Sequence, residues 1–204
     1  MATALAHASP GPARIGPNAI VRVGEALEAR IGPEGTRRLF ESAGLDGYIR
    51  HPPDGMVDEE EVTRLHRVLR ATLGEQVASR VSFEAGVRTG DYLLANRIPK
   101  PVQALLKILP AALASRVLLS AISRHAWTFA GSGTFGARTV AGGARLSVRD
   151  CPLCRGARSE APLCAFYAGT FERLFATLVR HGSIASETAC EARGAPSCEF
   201  RVTW

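Results

Sequence analysis

The chain has 204 residues, enough for one domain that buries a full core without cross-links. Its 25 lysines and arginines against 19 aspartates and glutamates give a net charge of +6. This charge is scattered, with no long basic run and no interleaved aromatic residues, which argues against nucleic-acid binding and indicates a solvated surface that suits anionic partners.

The first residues, MATALAHASPGPARIGPNA, have the proline, glycine and alanine content of a disordered lead-in. They lack the basic start and unbroken apolar run of a secretory signal peptide. We therefore expect a lead-in over residues 1–18, a single domain over residues 19–204 and a cytoplasmic protein. In a reducing compartment, five cysteines are more typical of free thiols or metal ligands than of disulfides.

From Ala19 to about Asn96 the apolar pattern is helical. Four segments are predicted: AIVRVGEALEARI, PEGTRRLFESAG, DEEEVTRLHRVLRATLG and EQVASRVSFEAGVRTGDYLLAN. Asp58 is a typical N-cap, and the three glutamates after it fall in the first turn, where the helix dipole favours carboxylates. We interpret this acidic cluster as a helix start and not as a catalytic site. His66, on the same charged helix, is predicted to lie at the surface.

The longest apolar stretch is 104-ALLKILPAALASRVLLSAI-122. Its two basic residues and its central Pro110 argue against a membrane-spanning helix. A helix kinked at Pro110 is predicted, either in the core or lying against an apolar ligand or a membrane surface, so the protein is expected to make at most peripheral membrane contact.

His125 and Trp127 follow this stretch as HAW. A lone histidine in such a place is more often a satisfied core residue than a ligand. Its position beside the apolar run nevertheless makes His125, with Trp127, our candidate for a contact in a ligand pocket, including an axial contact to a bound metallated ring.

The residues after His125 predict two short strands, HAWTFAGSGTFGARTV and ARLSVRD, joined across AGG. The string 131-GSGTFG-136 matches the GxGxxG pattern of dinucleotide sites, and Asp150 lies where a ribose-binding acid is expected. Such a site needs a helix directly after the glycines, whereas strand alternation follows here. We interpret these glycines as part of a β-hairpin.

The C-terminal part predicts an amphipathic helix from about Pro162 to His181 and a terminal hairpin of 184-IASETAC-190 and 198-CEFRVTW-204. In the last strand, Cys198, Phe200 and Val202 alternate with polar residues and share one face. The complete prediction is an α+β fold, in which N-terminal helices pack on a small, mostly antiparallel sheet with one long C-terminal helix.

Three cysteines are expected to converge at this end of the fold. Cys190 and Cys198 lie at the two ends of the hairpin, and Cys164 opens the packed face of the helix that covers the sheet. Three converging thiols favour tetrahedral zinc. Glu187 is one candidate for the fourth ligand, but it requires a bend or bulge, because residues three apart in a regular strand point to opposite faces.

The other candidate for the fourth ligand is a cysteine of the CxxC pair, Cys151 and Cys154. A redox pair should open a helix whose N-terminus lowers a thiol pKa, but RGARSEAP separates this pair from the helix. If neither thiol binds metal, both are buried free cysteines that act as small apolar side chains.

The pattern P-x-C-x-F-x-x-G-x-F-x-x-L from Pro162, followed by E-T-A-C-E-A-x-G-A-P-x-C-x-F from Glu187, resembles the vinyl-4-reductase domain family. That family shares a ligand-binding fold with subunits of the TRAPP vesicle-tethering complex. The similarity runs from about Ala19 to Trp204 and is strongest to family members of bacteriochlorophyll biosynthesis.

The resemblance implies one structural zinc bound by Cys164, Glu187, Cys190 and Cys198, which pins the helix onto the hairpin. Glu187 then becomes the fourth ligand, with the bend that this requires. The resemblance further implies a ligand pocket between helices and sheet, and a homodimer.

The ligand implied by the resemblance is a tetrapyrrole, divinyl protochlorophyllide or a related magnesium porphyrin, whose carboxylate would meet an arginine. We expect a carrier that presents this pigment to other enzymes of the pathway, because zinc with four protein ligands has no open position for chemistry. The alternative is an enzyme that itself reduces the vinyl group, although the sequence offers no convincing nicotinamide or flavin site. A further alternative is a sensor of a small aromatic ligand.

Overall fold

The computed structural model describes residues 13–204. Its helices are α1 (Asn18–Ser42), α2 (Gly47–Arg50), α3 (Glu59–Asn96), α4 (Lys100–Ile108), α5 (Ala111–Arg124), α6 (Trp127–Ala130) and α7 (Ala165–Leu178). Its strands are β1 (Arg14–Ile15), β2 (Val57–Asp58), β3 (Thr134–Val140), β4 (Gly143–Arg149), β5 (Ile184–Ala189) and β6 (Cys198–Thr203). The predicted α+β class is confirmed.

The predicted lead-in over residues 1–18 ends earlier than expected. Arg14–Ile15 pair antiparallel with Val57–Asp58, and the buried Ile15 side chain belongs to the core. The Gly16 N–H donates a 2.7 Å hydrogen bond to the Thr128 carbonyl. Residues 1–12 lie outside the described part of the chain.

Both long N-terminal helices break at a glycine. Gly32 in α1 has φ +75° and Gly74 in α3 has φ +74°, a conformation that other residues rarely adopt. These breaks fall at the boundaries between the four predicted segments, which are therefore confirmed. Asp58 caps α3 as predicted, because its carboxylate accepts a 2.9 Å hydrogen bond from the Glu60 N–H.

The long apolar stretch forms two helices, α4 and α5, where one kinked helix was predicted. Leu109 and Pro110 between them have extended ψ angles, so the chain turns instead of bending. Leu106, Leu118 and Leu119 are buried, while other apolar residues of the same helices are exposed. No helix among residues 13–204 is long and apolar enough to cross a membrane.

The sheet has four antiparallel strands in the order β3-β4-β6-β5. In β6 the predicted alternation is confirmed, since Cys198, Phe200 and Val202 are buried between exposed neighbours. The strand predicted to begin at HAW begins instead at Thr134, because residues 127–130 form α6. Gly131, at φ +59°, ends this helix and turns the chain toward β3.

Helix α7 packs against α3 on one side and against β5 and β6 on the other. The Phe166 ring lies edge-on to His66 of α3, whereas Tyr167 and Phe171 contact Phe200 of β6. The N-terminal helices therefore pack on α7, where the prediction packed them on the sheet. The predicted single apolar face is also wrong, because residues 166–171 are all buried.

Two glycines allow α3 and α7 to cross closely. A Cβ atom on Gly86 of α3 would lie 2.0 Å from the Phe166 carbonyl oxygen, and a Cβ atom on Gly169 of α7 would lie 2.2 Å from the Phe83 carbonyl oxygen. Helix α7, with 14 residues, is shorter than predicted and much shorter than α3, with 38.

The Glu59 carboxylate joins the start of α3 to two loops of the C-terminal half. It accepts hydrogen bonds from the Ser132 N–H (2.8 Å) and hydroxyl (2.6 Å), and it forms a 2.5 Å ion pair with Arg155. A Cβ atom on Gly131 would lie 2.1 Å from this carboxylate. The GxGxxG string thus wraps a buried side chain and continues into a strand, so its interpretation as a hairpin segment is confirmed.

Replacing Glu59 with glutamine should destabilise the protein by about 2 kcal/mol at pH 7, because charge-assisted hydrogen bonds are lost. Burial alone would raise the pKa of Glu59, but Ser132 and Arg155 outweigh it and lower the pKa below 4.5. The stabilisation is therefore present above about pH 4.5 and is lost as the pH falls through the folded-state pKa.

Urea unfolding at pH 7 and at pH 3.5 (about one unit below the ordinary glutamate pKa) measures this effect. The matched control is Glu60→Gln, whose side chain is 63% exposed and should change stability by less than about 0.5 kcal/mol. A Glu59→Gln variant as stable as the control at pH 7 would contradict the assignment.

Candidate metal centre

All five cysteines meet at one buried point, where three segments of the chain converge. Cys151 and Cys154 come from the loop after β4, Cys164 precedes α7, and Cys190 and Cys198 flank the β5–β6 connection. Every thiol is free and buried. The predicted convergence of three cysteines therefore includes the CxxC pair as well.

Glu187 reaches this point because β5 contains a bulge. Glu187 pairs with Phe200 and Ala189 pairs with Glu199, so Thr188 is an extra residue in β5. Such a bulge re-aims the neighbouring side chains. It supplies the bend that the sequence required, and it brings a Glu187 carboxylate oxygen within 4.8 Å of the thiols of Cys164, Cys190 and Cys198.

One oxygen of Glu187 is satisfied and the other is not. Oε2 accepts a 2.7 Å hydrogen bond from the Cys164 N–H, whereas the buried Oε1 has no partner among residues 13–204. Because burying a carboxylate oxygen without a partner is costly, this atom indicates a missing ligand. A cation held by Oε1 and the neighbouring thiols would satisfy it.

The electrostatics of the cluster also fit a cation. Burial, followed by the neighbouring Cys190, raises the pKa of Glu187 to about 9. Burial likewise raises the pKa of the Cys164 thiol well above its ordinary value. A divalent ion reverses both effects, since coordination stabilises thiolates and carboxylates. Cysteine and glutamate are ligands that zinc accepts at tetrahedral sites.

The CxxC loop is held rigidly against the other thiols. The Thr63 hydroxyl donates to the Pro152 carbonyl (2.8 Å), Arg70 donates to the Leu153 carbonyl (3.0 Å), and Glu191 accepts from the N–H groups of Asp150 (2.7 Å) and Cys151 (2.9 Å). No helix starts at this loop, in agreement with the rejection of a thioredoxin-like pair. The loop instead presents two thiols to the centre, for which the CxxC spacing was the available signal.

The histidines lie away from the ligand set. His125 caps the end of α5 with an exposed ring whose Nδ1 lies 2.9 Å from the Ala121 carbonyl oxygen, and Trp127 is 61% exposed. His66 was predicted at the surface, but it is 1% exposed and packs on Phe166. Burial, followed by Arg70, lowers the pKa of His66 to about 3, so its ring is neutral.

The space between α7 and the sheet is filled by an aromatic cluster of Phe129, Phe135, Tyr167, Phe171 and Phe200. Open space lies instead at the β3 edge of the sheet. One groove of about 250 Å³ separates α5 from β3, and its lining residues are Arg116, Leu119, Ser120, Ser123, Ala137, Arg138 and Thr139. A second, of about 240 Å³, shares Ala137 and Arg138 and continues over the outer face of the sheet.

Sequence comparisons match this chain to proteins of one kind. Residues 144–204 match the vinyl-4-reductase domain. The chain is 47% identical over 197 residues to the bacteriochlorophyll synthase 23 kDa chain of Cereibacter sphaeroides, covering 94% of this chain and 93% of the relative. It is 36% identical over 200 residues to the protein of the same name from Rhodobacter capsulatus, covering 96% and 92%.

Structure comparisons match H-NOX proteins. A mutant Fe(II) unliganded H-NOX protein from K. algicida has a TM-score of 0.60 at 13% identity, over 93% of this chain and 96% of that one. A structure from work on heme distortion in the H-NOX family has a TM-score of 0.51 at 13% identity, over 93% and 95%. At such identities the likeness establishes a shared fold.

A Glu187→Gln variant should lose zinc affinity by more than about tenfold, since even partners outside the coordination shell contribute that much. Glutamine keeps the shape of the side chain but cannot supply the charge. Competition with a chromophoric chelator measures the affinity, and Glu199→Gln, an exposed neighbour in β6, is the matched control. Equal affinity of the two variants would remove Glu187 from the ligand set.

Proposed function

The chain belongs to the vinyl-4-reductase-domain family of the bacteriochlorophyll synthase 23 kDa chains, and we propose that it binds a tetrapyrrole of bacteriochlorophyll synthesis and presents it to a partner enzyme. The relatives' shared name supports the pathway. The fold shared with H-NOX proteins, whose studied ligand is heme, supports a tetrapyrrole. The observation that carries the proposal is the arginine-lined groove between α5 and β3, beside an exposed apolar surface.

The groove has the chemistry to recognise a carboxylate. Arg116 on α5 and Arg138 on β3 line it from opposite sides, together with the hydroxyls of Ser120, Ser123 and Thr139. Guanidinium groups bind carboxylates through paired, charge-assisted hydrogen bonds. At about 250 Å³, the groove is below the range of about 300–1,000 Å³ typical of pockets for whole ligands. It therefore suits the carboxylate arm of a pigment and not the entire macrocycle.

An apolar surface next to the groove offers a seat for the macrocycle. Arg116 and Ser120 line the groove, and the exposed Leu113 and Val117 lie one step further around α5. Helix α4 extends this surface with Val102, Leu105 and Ile108, the last 80% exposed. Contiguous exposed apolar surface commonly marks a binding site. A flat aromatic ring would cover it while its carboxylate reaches the arginines.

A row of arginines continues the positive charge of the groove. Arg138, Arg145 and Arg201 stand opposite one another on three adjacent strands and are exposed. Like charges in this arrangement repel, which is unfavourable without an anion nearby. The row therefore favours an anionic pigment, and it also suits an acidic surface of the partner enzyme that receives the pigment.

Zinc at the Cys164, Glu187, Cys190 and Cys198 ligands would serve folding. Four protein ligands leave no open position for substrate, and binding in small zinc domains contributes on the order of 10 kcal/mol to folding. The GxGxxG string contacts Glu59 and enters β3, so it is no phosphate loop. Both points favour a carrier over an enzyme that itself reduces the vinyl group.

His125 and Trp127 remain proposed pigment contacts. Both lie just beyond Ser123, at the end of the groove-lining helix, and both are exposed, although neither lines the groove. From this place the His125 imidazole would provide the axial contact to the ring metal. A homodimer, implied by the family resemblance, is likewise proposed.

Titrating the zinc-loaded protein with divinyl protochlorophyllide should shift the pigment's absorption spectrum. Arg116→Ala and Arg138→Ala should each weaken binding about tenfold or more, because each removes a charge-assisted contact of about 1.5 kcal/mol or more. Arg124→Ala, an exposed arginine of the same helix outside the groove, is the matched control. The pigment's methyl ester should bind wild type and both groove variants equally.

The same mixture with NADPH should bind pigment without reducing its vinyl group. Vinyl reduction by the purified chain alone would contradict the carrier proposal. Equal affinity of the groove variants and the Arg124→Ala control would remove the groove as the pigment site.

A further inference from the structure

The cysteine cluster contains two complete sets of four metal ligands. The Glu187 set is Cys164, Glu187, Cys190 and Cys198, and the CxxC set is Cys151, Cys154, Cys164 and Cys198. Within each set, all ligand atoms lie within 4.8 Å of one another. Ligands about 2.3 Å from one tetrahedral ion are about 3.8 Å apart, so each set has the spacing of a site for one ion.

The two sets share Cys164 and Cys198, and the distances make these thiols the centre of the cluster. Their Sγ atoms are 3.5 Å apart. The Sγ of Cys151 lies 3.4 Å from that of Cys164, and the Sγ of Cys154 lies 3.4 Å from that of Cys198. Cys190 lies on the other side, 3.8 Å from Cys198. Two sites therefore meet along the Cys164–Cys198 edge.

We propose that this centre holds two divalent ions, bridged by the thiolates of Cys164 and Cys198. One ion completes its coordination with Glu187 and Cys190, and the other with Cys151 and Cys154. A thiolate sulfur has more than one lone pair and can bond two ions at once. The proposal builds on the zinc-binding Glu187 set and is independent of pigment binding.

Charge favours two ions over one. Five thiolates and one carboxylate around a single divalent ion would leave a net charge of −4 in a buried site, whereas two ions reduce it to −2. Isolated buried charge is strongly unfavourable, so protons or a second cation must compensate it. The half-buried Arg70, which donates to the Leu153 carbonyl, supplies further positive charge on the CxxC side.

The rigid anchoring of the CxxC loop makes its thiols part of a built site. Thr63, Arg70 and Glu191 hold the loop by side-chain bonds to its backbone, so Cys151 and Cys154 face the shared thiols without a metal. Cysteines also hold iron–sulfur clusters. The inorganic sulfides of such a cluster would separate the thiols further than one ion does, and the short spacing within the CxxC set therefore favours a single zinc-like ion.

Metal analysis of the full chain, after zinc loading and removal of free metal by gel filtration, tests the proposal. We expect two zinc ions per chain by elemental analysis and native mass spectrometry. Cys154→Ser and Cys190→Ser should each retain one, because each variant damages one set and leaves the other complete. The control Glu199→Gln should retain two.

The alternatives give different counts. A single site at the Glu187 set gives one zinc in the wild type, one in Cys154→Ser and none in Cys190→Ser. A single site at the CxxC set gives the reverse for the two variants. Either pattern would overturn the proposal, as would iron with acid-labile sulfide in the protein as it is isolated.

Cadmium substitution provides a second readout that does not depend on folding of the cysteine variants. Two ¹¹³Cd resonances are expected, one typical of four sulfur ligands and one of mixed sulfur and oxygen ligands. Glu187→Gln should move mainly the mixed-ligand resonance. A single resonance in the wild type would rule out the two-ion centre.

Discussion

The buried cluster of five thiols and one carboxylate is the constraint on which the C-terminal half depends. Its members come from a loop, a helix start and a hairpin, and they meet where burial raises the pKa of Cys164 and Glu187. Without a cation these groups must keep their protons, and an oxygen of Glu187 has no partner among residues 13–204. With a cation, the same groups bind all three segments together.

The metal centre and the proposed pigment groove are parts of one sheet. Strand β6 begins at Cys198 and pairs with β4, and β4 pairs with β3, which supplies Arg138 to the groove. Helix α7, which begins directly after Cys164, packs against this sheet through Tyr167 and Phe171. Metal coordination would therefore fix the position of the groove without touching the pigment, in keeping with a structural role.

The sequence predicted those features that depend on local periodicity. The four N-terminal helical segments and the alternation of β6 were readable because glycine breaks and strand alternation leave direct patterns. The burial of α7 on both sides was not readable, since Gly86 and Gly169 create that crossing only in the folded protein. His66 was misplaced for the same reason, because a helix pattern cannot reveal a second layer such as Phe166.

The cysteine site was readable in part. Spacing predicted the convergence of Cys164, Cys190 and Cys198, and the family resemblance supplied Glu187. The approach of Cys151 and Cys154 depends on Thr63 and Arg70, nearly ninety positions away in the sequence, and such long-range contacts leave no local pattern.

Hydrogen exchange with and without a zinc chelator tests the central claim most directly. Removing the metal should increase exchange in residues 151–156, the first turn of α7 and the β5–β6 connection, while α1 and the first half of α3 stay protected. Unchanged exchange in the three cysteine-bearing segments would contradict the claim that metal coordination holds this half of the protein together.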